Sequence, residues 1–194
     1  MVSTATEVSS TRPRRLPGVE GVWVFVGADS TMFALLFGSF MAARAADPAT
    51  FEASRQTLNL NFGGINTLIL LTSSWFVILG VHAARRGDQA AVPRWLGGAI
   101  LCGIAFVISK ATEYTEKITE GLFGNEFYNY YFSLTGLHLA HVVGGTVILT
   151  VMWRRARKGA YTPGSTTRLE AGATYWHMVD YIWVVIFPLI YLLR

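Results

Sequence analysis

A chain of 194 residues with 52% hydrophobic and only 14% charged side chains is too apolar for an ordinary soluble domain. Its formal charge of +4 collects at the ends of apolar segments, which argues against a nucleic-acid partner. The single cysteine, Cys102, sits inside an apolar segment, reads as a small buried hydrophobe, and excludes an internal disulfide or a CxxC metal or redox motif.

Residues 1–17 are rich in Ser and Thr, carry Arg12, Arg14 and Arg15, and lead into the breakers Pro17 and Gly18. No short apolar core with a cleavage site follows, so this stretch reads as a disordered cytoplasmic arm rather than a targeting peptide. The rest, 18–194, reads as one domain with short connections and no internal repeat. Five apolar segments, at about 19–43, 62–84, 95–119, 128–153 and 172–193, each reach the ~20 residues of a helical crossing. No alternation of the barrel type is present. The expected fold class is therefore all-α: a polytopic membrane protein with a bundle of five transmembrane helices.

Five spans put the two termini on opposite sides. One side gathers Arg12, Arg14, Arg15, Arg85, Arg86, Arg94, Arg154, Arg155, Arg157, Lys158 and Arg168; the other has Arg44, Arg55, Lys117 and Arg194. The positive-inside rule then places the N-terminus in the cytoplasm and the C-terminus outside. Trp23, Trp95, Tyr128, Tyr130, Tyr131, Trp153, Tyr175, Trp176 and Tyr191 lie near span ends and read as an interfacial belt.

Span one carries Asp29 ten residues in, with no local cation, beside a ladder of small residues at Ser30, Ala34, Gly38 and Ala42. A carboxylate so deep costs several kcal/mol, about 2.5–3.5 on insertion scales, so it pairs across helices, holds a proton or exchanges one. The ladder, like Ala99 and Gly103 on span three, suits close helix packing. On span three, Glu113 follows Lys110 by three residues and precedes Lys117 by four, so one face offers a cation above and below the acid. That cluster reads as a structural ion pair, or as a polar element of a proton route or subunit contact.

His138 and His141 share a face of span four, and His177 and Asp180 are three apart on span five, where the acid is expected to accept from the imidazole. With Asp29 and Glu113 they imitate a carboxylate–histidine metal site. However, bundle di-metal sites use Glu-x-x-His on each of two helices, and that motif is absent. His82 falls at the opposite depth from His138 and His141, which clashes with paired haem ligation. A self-standing haem or metal membrane enzyme and a proton-coupled transporter therefore stand as alternatives, the latter weakened by the missing repeats.

Four blocks resemble the subunit III family of haem-copper oxidases: Phe25-Val26-Gly27-Ala28-Asp29 with Phe33-Ala34; Gly103-Ile104-Ala105-Phe106 through Ala111-Thr112-Glu113-Tyr114; Thr135-Gly136-Leu137-His138-Leu139-Ala140-His141-Val142; and Tyr175-Trp176-His177-Met178-Val179-Asp180 with Trp183. Asp stands at 29 where the family usually has Glu, Lys110 where a neutral Gln is common, and the two leading helices of long members are absent. Leu71-Thr72-Ser73-Ser74-Trp75-Phe76 and the Lys110–Glu113 pair look closest to the short NorE-type branch associated with nitric-oxide reductases. The resemblance implies a non-catalytic subunit of a terminal oxidase or nitric-oxide reductase, supporting assembly, lipid binding and proton uptake in a bacterial cytoplasmic membrane. It implies no cofactor in this chain beyond bound phospholipid, with haem and copper in a partner catalytic subunit I and further subunits beside it. Asp29, Lys110, Glu113, His177 and Asp180 become proton-handling candidates. His138, His141, Trp176 and Trp183 become lipid or subunit-contact candidates.

Overall fold

The computed structural model describes residues 20–122 and 124–193. The proposed arm at 1–17 lies outside them. Among the described residues every regular element is helical: α1 Glu20–Ala46, α2 Pro48–Arg55, α3 Leu60–Arg85, α4 Ala91–Thr119, α5 Glu126–Arg157 and α6 Thr167–Phe187, the last continued by a π-helical turn at Pro188–Leu192. Five of the helices are long and apolar enough to cross a membrane, which matches the expected span number. Each runs a few residues beyond the apolar window, because helical backbone keeps its hydrogen bonds whether its side chains are in lipid or water.

Helices α3, α4, α5 and α6 pack as a ring, with α3 against both α4 and α6. Helix α1 leans on the outside, against α5 and α6. Half of the most apolar window of α6 is buried, against 17% of that of α1, so the core belongs to the ring. The close approaches come at glycines. A Cβ on Gly103 would stand 2.7 Å from Thr146 Oγ1 and one on Gly145 2.7 Å from the Trp176 ring. The Ser30–Ala42 ladder, by contrast, faces outward, with nothing near Gly38.

Helix α2 is the element the hydropathy pattern does not announce. Asp47 caps it by accepting from the Thr50 amide at 3.2 Å, and Pro48 takes the first turn, where no amide bond is lost. Asn59 and Asn125 cap α3 and α5 in the same way. Glycines with positive φ, Gly87 (78°) and Gly159 (68°), end the turns after α3 and α5 on the side where most cations gather. At the other end Pro188 has no amide to give, and the chain widens into the π turn, closed by Leu193 N donating to Pro188 O at 2.9 Å.

Arg55 of α2 holds this end together. Its guanidinium pairs with Glu52 at 2.6 Å and donates to the Tyr191 carbonyl at 3.2 Å. The hydrogen bonds from Arg55, then Gln56, pull the Glu52 carboxyl down from the ordinary 4.5 to about 2. Since the folded value lies below the unfolded one, the interaction favours the folded chain fully above pH 4.5 and fades as pH falls toward about 2. A carbon NMR titration of Glu52 should show a midpoint near 2, and a midpoint near 4.5 would detach it from Arg55.

Candidate functional site

The interior polar residues fall into three clusters at different depths. The first joins α1 to α5: Asp29 Oδ1 lies 3.0 Å from His141 Nε2. His141 Nδ1 donates to Leu137 O at 2.8 Å, and a carbonyl can only accept, so Nδ1 carries hydrogen. The contact at Nε2 therefore holds one shared proton, as imidazolium and carboxylate or as imidazole and carboxylic acid. Either form leaves the pair neutral, which lowers the cost of its burial. Asp29 is thus paired across helices, one of the outcomes its isolation in sequence allowed. Phe33 packs its ring edgewise on His141, and Asp29 Oδ2 has no hydrogen-bond partner among the described residues. A double-mutant cycle of Asp29→Asn and His141→Gln should give a coupling of about 1 kcal/mol or more in thermal unfolding, and additive losses would dissolve the pair.

The second cluster is the most enclosed. Lys110, 0% exposed, donates to Glu113 Oε2 at 2.8 Å, to Tyr131 OH at 3.1 Å and to Tyr191 OH at 3.3 Å. Tyr191 in turn donates to Glu113 Oε1 at 2.6 Å. The rings of Tyr114, Tyr131, Trp183 and Tyr191 surround the ammonium, 5.0–6.0 Å from their centroids. The expected Lys110–Glu113 pair is present. Lys117, expected to flank Glu113 from the other side, turns away to Glu120 at 2.8 Å and to the Thr57 carbonyl at 3.1 Å.

The third cluster corrects an expectation. His177 does not pair with Asp180: its Nδ1 meets Ser74 Oγ of α3 at 2.5 Å, and neither buried Asp180 oxygen has a partner within full hydrogen-bond geometry among the described residues. Residues three apart on a helix differ by about 60° in direction, enough for His177 to face α3 while Asp180 turns inward. Ser74 lies next to Asp180 as well, so its hydroxyl stands between the imidazole and the acid.

His138, Trp176 and Trp183, expected as outward contacts, are each 0% exposed. His138 Nε2 donates to Val179 O at 3.1 Å, and its ring lies against Phe106 and Trp183. Trp183 donates to Thr67 Oγ1 at 3.0 Å, and Trp176 fills the space left by Gly103 and Gly145. Tyr128, Tyr131, Trp176 and Tyr191, assigned to an interfacial belt, are buried too. Proximity to a span end gives depth but not direction. Ser74, Tyr131 and Tyr191 are the partners that sequence reasoning missed as site residues; Tyr131 lies 21 residues from Lys110 and Tyr191 81, beyond any local pattern. Among the described residues no three His, Cys, Asp or Glu side chains converge as a metal site would require.

The family model for cytochrome c oxidase subunit III matches residues 17–194. The cytochrome c oxidase subunit 3 of Synechocystis is 37% identical over 174 residues, covering 89% of this chain and 74% of that protein. That of Corynebacterium diphtheriae is 32% identical, covering 90% and 87%, and that of Alkalihalophilus pseudofirmus 33%, covering 89% and 85%. With the family model spanning the whole five-helix bundle and these relatives matching about nine-tenths of it, the chain belongs to the cytochrome c oxidase subunit III family.

Proposed function

We propose that this chain is a non-catalytic subunit III of a respiratory haem-copper enzyme, a terminal oxidase or a nitric-oxide reductase of the NorE-associated kind. It docks beside the haem-bearing subunit I, supports assembly, holds lipid and sustains proton uptake. The observation that carries the reading is the family match over residues 17–194 on a bundle whose span histidines are committed internally. His141 is taken by Asp29 and a backbone carbonyl, His138 by a carbonyl and a sealing pair of rings, and His177 by Ser74. Those commitments do not fit axial haem ligation or a metal centre, so haem and copper belong in this reading to the partner.

A groove of about 450 Å³ between α1, α5 and α6 supports the lipid-holding part. Phe25, Val147, Val151 and Met152 line it, and Arg155 and Arg168 connect it to a polar pocket of about 440 Å³. An acyl chain suits the first and a phosphate the second. The cations at that end of the bundle favour the cytoplasmic side for it, with the N-terminus inside and the C-terminus outside.

Purification in mild detergent followed by mass spectrometry tests the reading. The expected result is co-purification with a large haem-bearing subunit, while the isolated chain shows no visible absorption. Recovery of the chain alone, or stoichiometric iron or copper travelling with it, overturns the proposal. Within the complex, Asp29→Ala should insert normally but shorten sustained turnover; unchanged turnover would reduce the Asp29–His141 pair to packing.

A further inference from the structure

The α3–α6 seam carries polar groups that the docking role does not use. At the end of the bundle where the cations gather, a groove of about 150 Å³ is lined by Ile78, Val81, His82, Arg85, Glu170 and His177, among others. Its mouth is polar: Arg85 pairs with Glu170 at 2.9 Å, and His82 is exposed. The His177 ring lines the groove, and its Nδ1 meets Ser74 Oγ at 2.5 Å. Beside Ser74 lies Asp180, 4% exposed, its oxygens without a partner in full hydrogen-bond geometry among the described residues. Glu170 and Asp180 are ten residues apart on α6, so the track descends about 15 Å into the bundle.

Beyond Asp180 the polar track stops. The Phe106 and Trp183 rings meet edge to face with centroids at 4.9 Å, and His138 lies against both. This aromatic layer also borders the Lys110–Glu113 cluster, whose ammonium lies 5.5 Å from the Trp183 ring centroid. The groups around Asp180 include no cation within ion-pair distance among the described residues. From α3 come Ser74 and Ser73, the latter spent on the Ala99 carbonyl at 3.0 Å. Helix α4 contributes the Cys102 thiol, α5 contributes His138 with Nε2 bound to Val179 O, and α6 contributes His177. A carboxylate in such surroundings would have no counter-charge, a cost of several kcal/mol that a bound proton removes.

We propose that the α3–α6 seam is a one-ended proton branch: a proton enters past His82 and Glu170, passes through His177 and Ser74 to Asp180, and returns the same way. The transfer balances without any other reactant. With hydrogen on Nδ1 and Asp180 ionised, a proton gained at Nε2 releases the Nδ1 hydrogen to Ser74 Oγ, whose own hydrogen moves to an Asp180 oxygen; the same steps in reverse empty the store. The aromatic layer keeps the branch from becoming a leak across a membrane that holds a proton gradient. Asp180 is then a buried proton store separate from the Asp29–His141 pair. The inference deepens the proton-handling part of the proposed function, but its test needs no partner subunit, so the two fail separately.

Infrared exchange on the full chain in lipid nanodiscs tests it. Transfer from water to deuterium oxide should shift a protonated-carboxyl stretch that Asp180→Asn removes. Ser74→Ala, a change small enough to keep the fold, and His177→Phe should retain that band and slow its exchange by about tenfold or more, as expected when a proton relay is cut. In liposomes the unaltered chain should pass no more protons than bare lipid. An absence of any Asp180 carboxyl band, exchange as fast in both relay variants as in the native chain, or a native proton leak would each overturn the branch.

Discussion

Glu113→Ala should destabilise the bundle by about 3–5 kcal/mol, the usual cost of stranding one partner of a buried ion pair. Among the described residues Lys110 has no second acid to turn to. Its other hydrogen-bond partners are Tyr131 and Tyr191, and it is 0% exposed, so it cannot reach water by a change of rotamer. The loss spreads to the C-terminal turn. Tyr191 gives its hydroxyl hydrogen to Glu113, and its carbonyl is the acceptor for Arg55 of α2. Removing the acid therefore loosens α4, the π turn and α2 together. Pairing the change with Lys110→Met should recover most of the stability, because an apolar side chain of similar length needs no counter-charge. Thermal unfolding in detergent, read for both variants, decides the matter. A double variant as unstable as Glu113→Ala would mean that packing, and not a stranded cation, carries the loss.

The sequence made the scaffold legible because lipid imposes a rule that acts locally: about 20 apolar residues and a helix that satisfies its own backbone. The five spans follow from that rule alone. The Lys110–Glu113 pair was legible for a similar reason, since both partners sit on one helix at a spacing that brings them together. The same spacing misled at His177 and Asp180. Three residues apart fixes a shared side of a helix, but the partner is chosen by the neighbouring helix, and there α3 offers Ser74 to the imidazole. Asp29 and His141 meet across 112 positions in the chain, a pairing no local period announces. Helix α2 was missed because hydropathy was the guide, although Asp47 followed by Pro48 is a helix-start signal. The tryptophans mark a further boundary. Trp176 falls near one end of a span, yet glycines on α4 and α5 open room for it inside the bundle.

Those glycines set the second large expected effect, Gly145→Val. A Cβ there would stand 2.7 Å and 2.8 Å from Trp176 Cε3 and Cζ3, distances real Cβ atoms essentially never show. The indole cannot retreat. It is 0% exposed, and a Cβ on Gly103 would stand only 3.1 Å from its far edge, so space is already tight on that side. Valine adds two further carbons toward the same rigid ring. The backbones of α5 and α6 must then part, at a cost of about 1–3 kcal/mol or somewhat more. The neighbouring Gly144 is the internal control. A Cβ there meets only Tyr175 OH at 3.6 Å, ordinary contact, and alanine is the better helix former by about 0.8–1.0 kcal/mol. Gly144→Ala should thus leave the unfolding temperature unchanged or raise it, while Gly145→Val lowers it and reduces the yield of folded chain. Equal effects at the two positions would show that α5 tolerates side chains on either face, and that the close seating of Trp176 does not hold α5 and α6 in register.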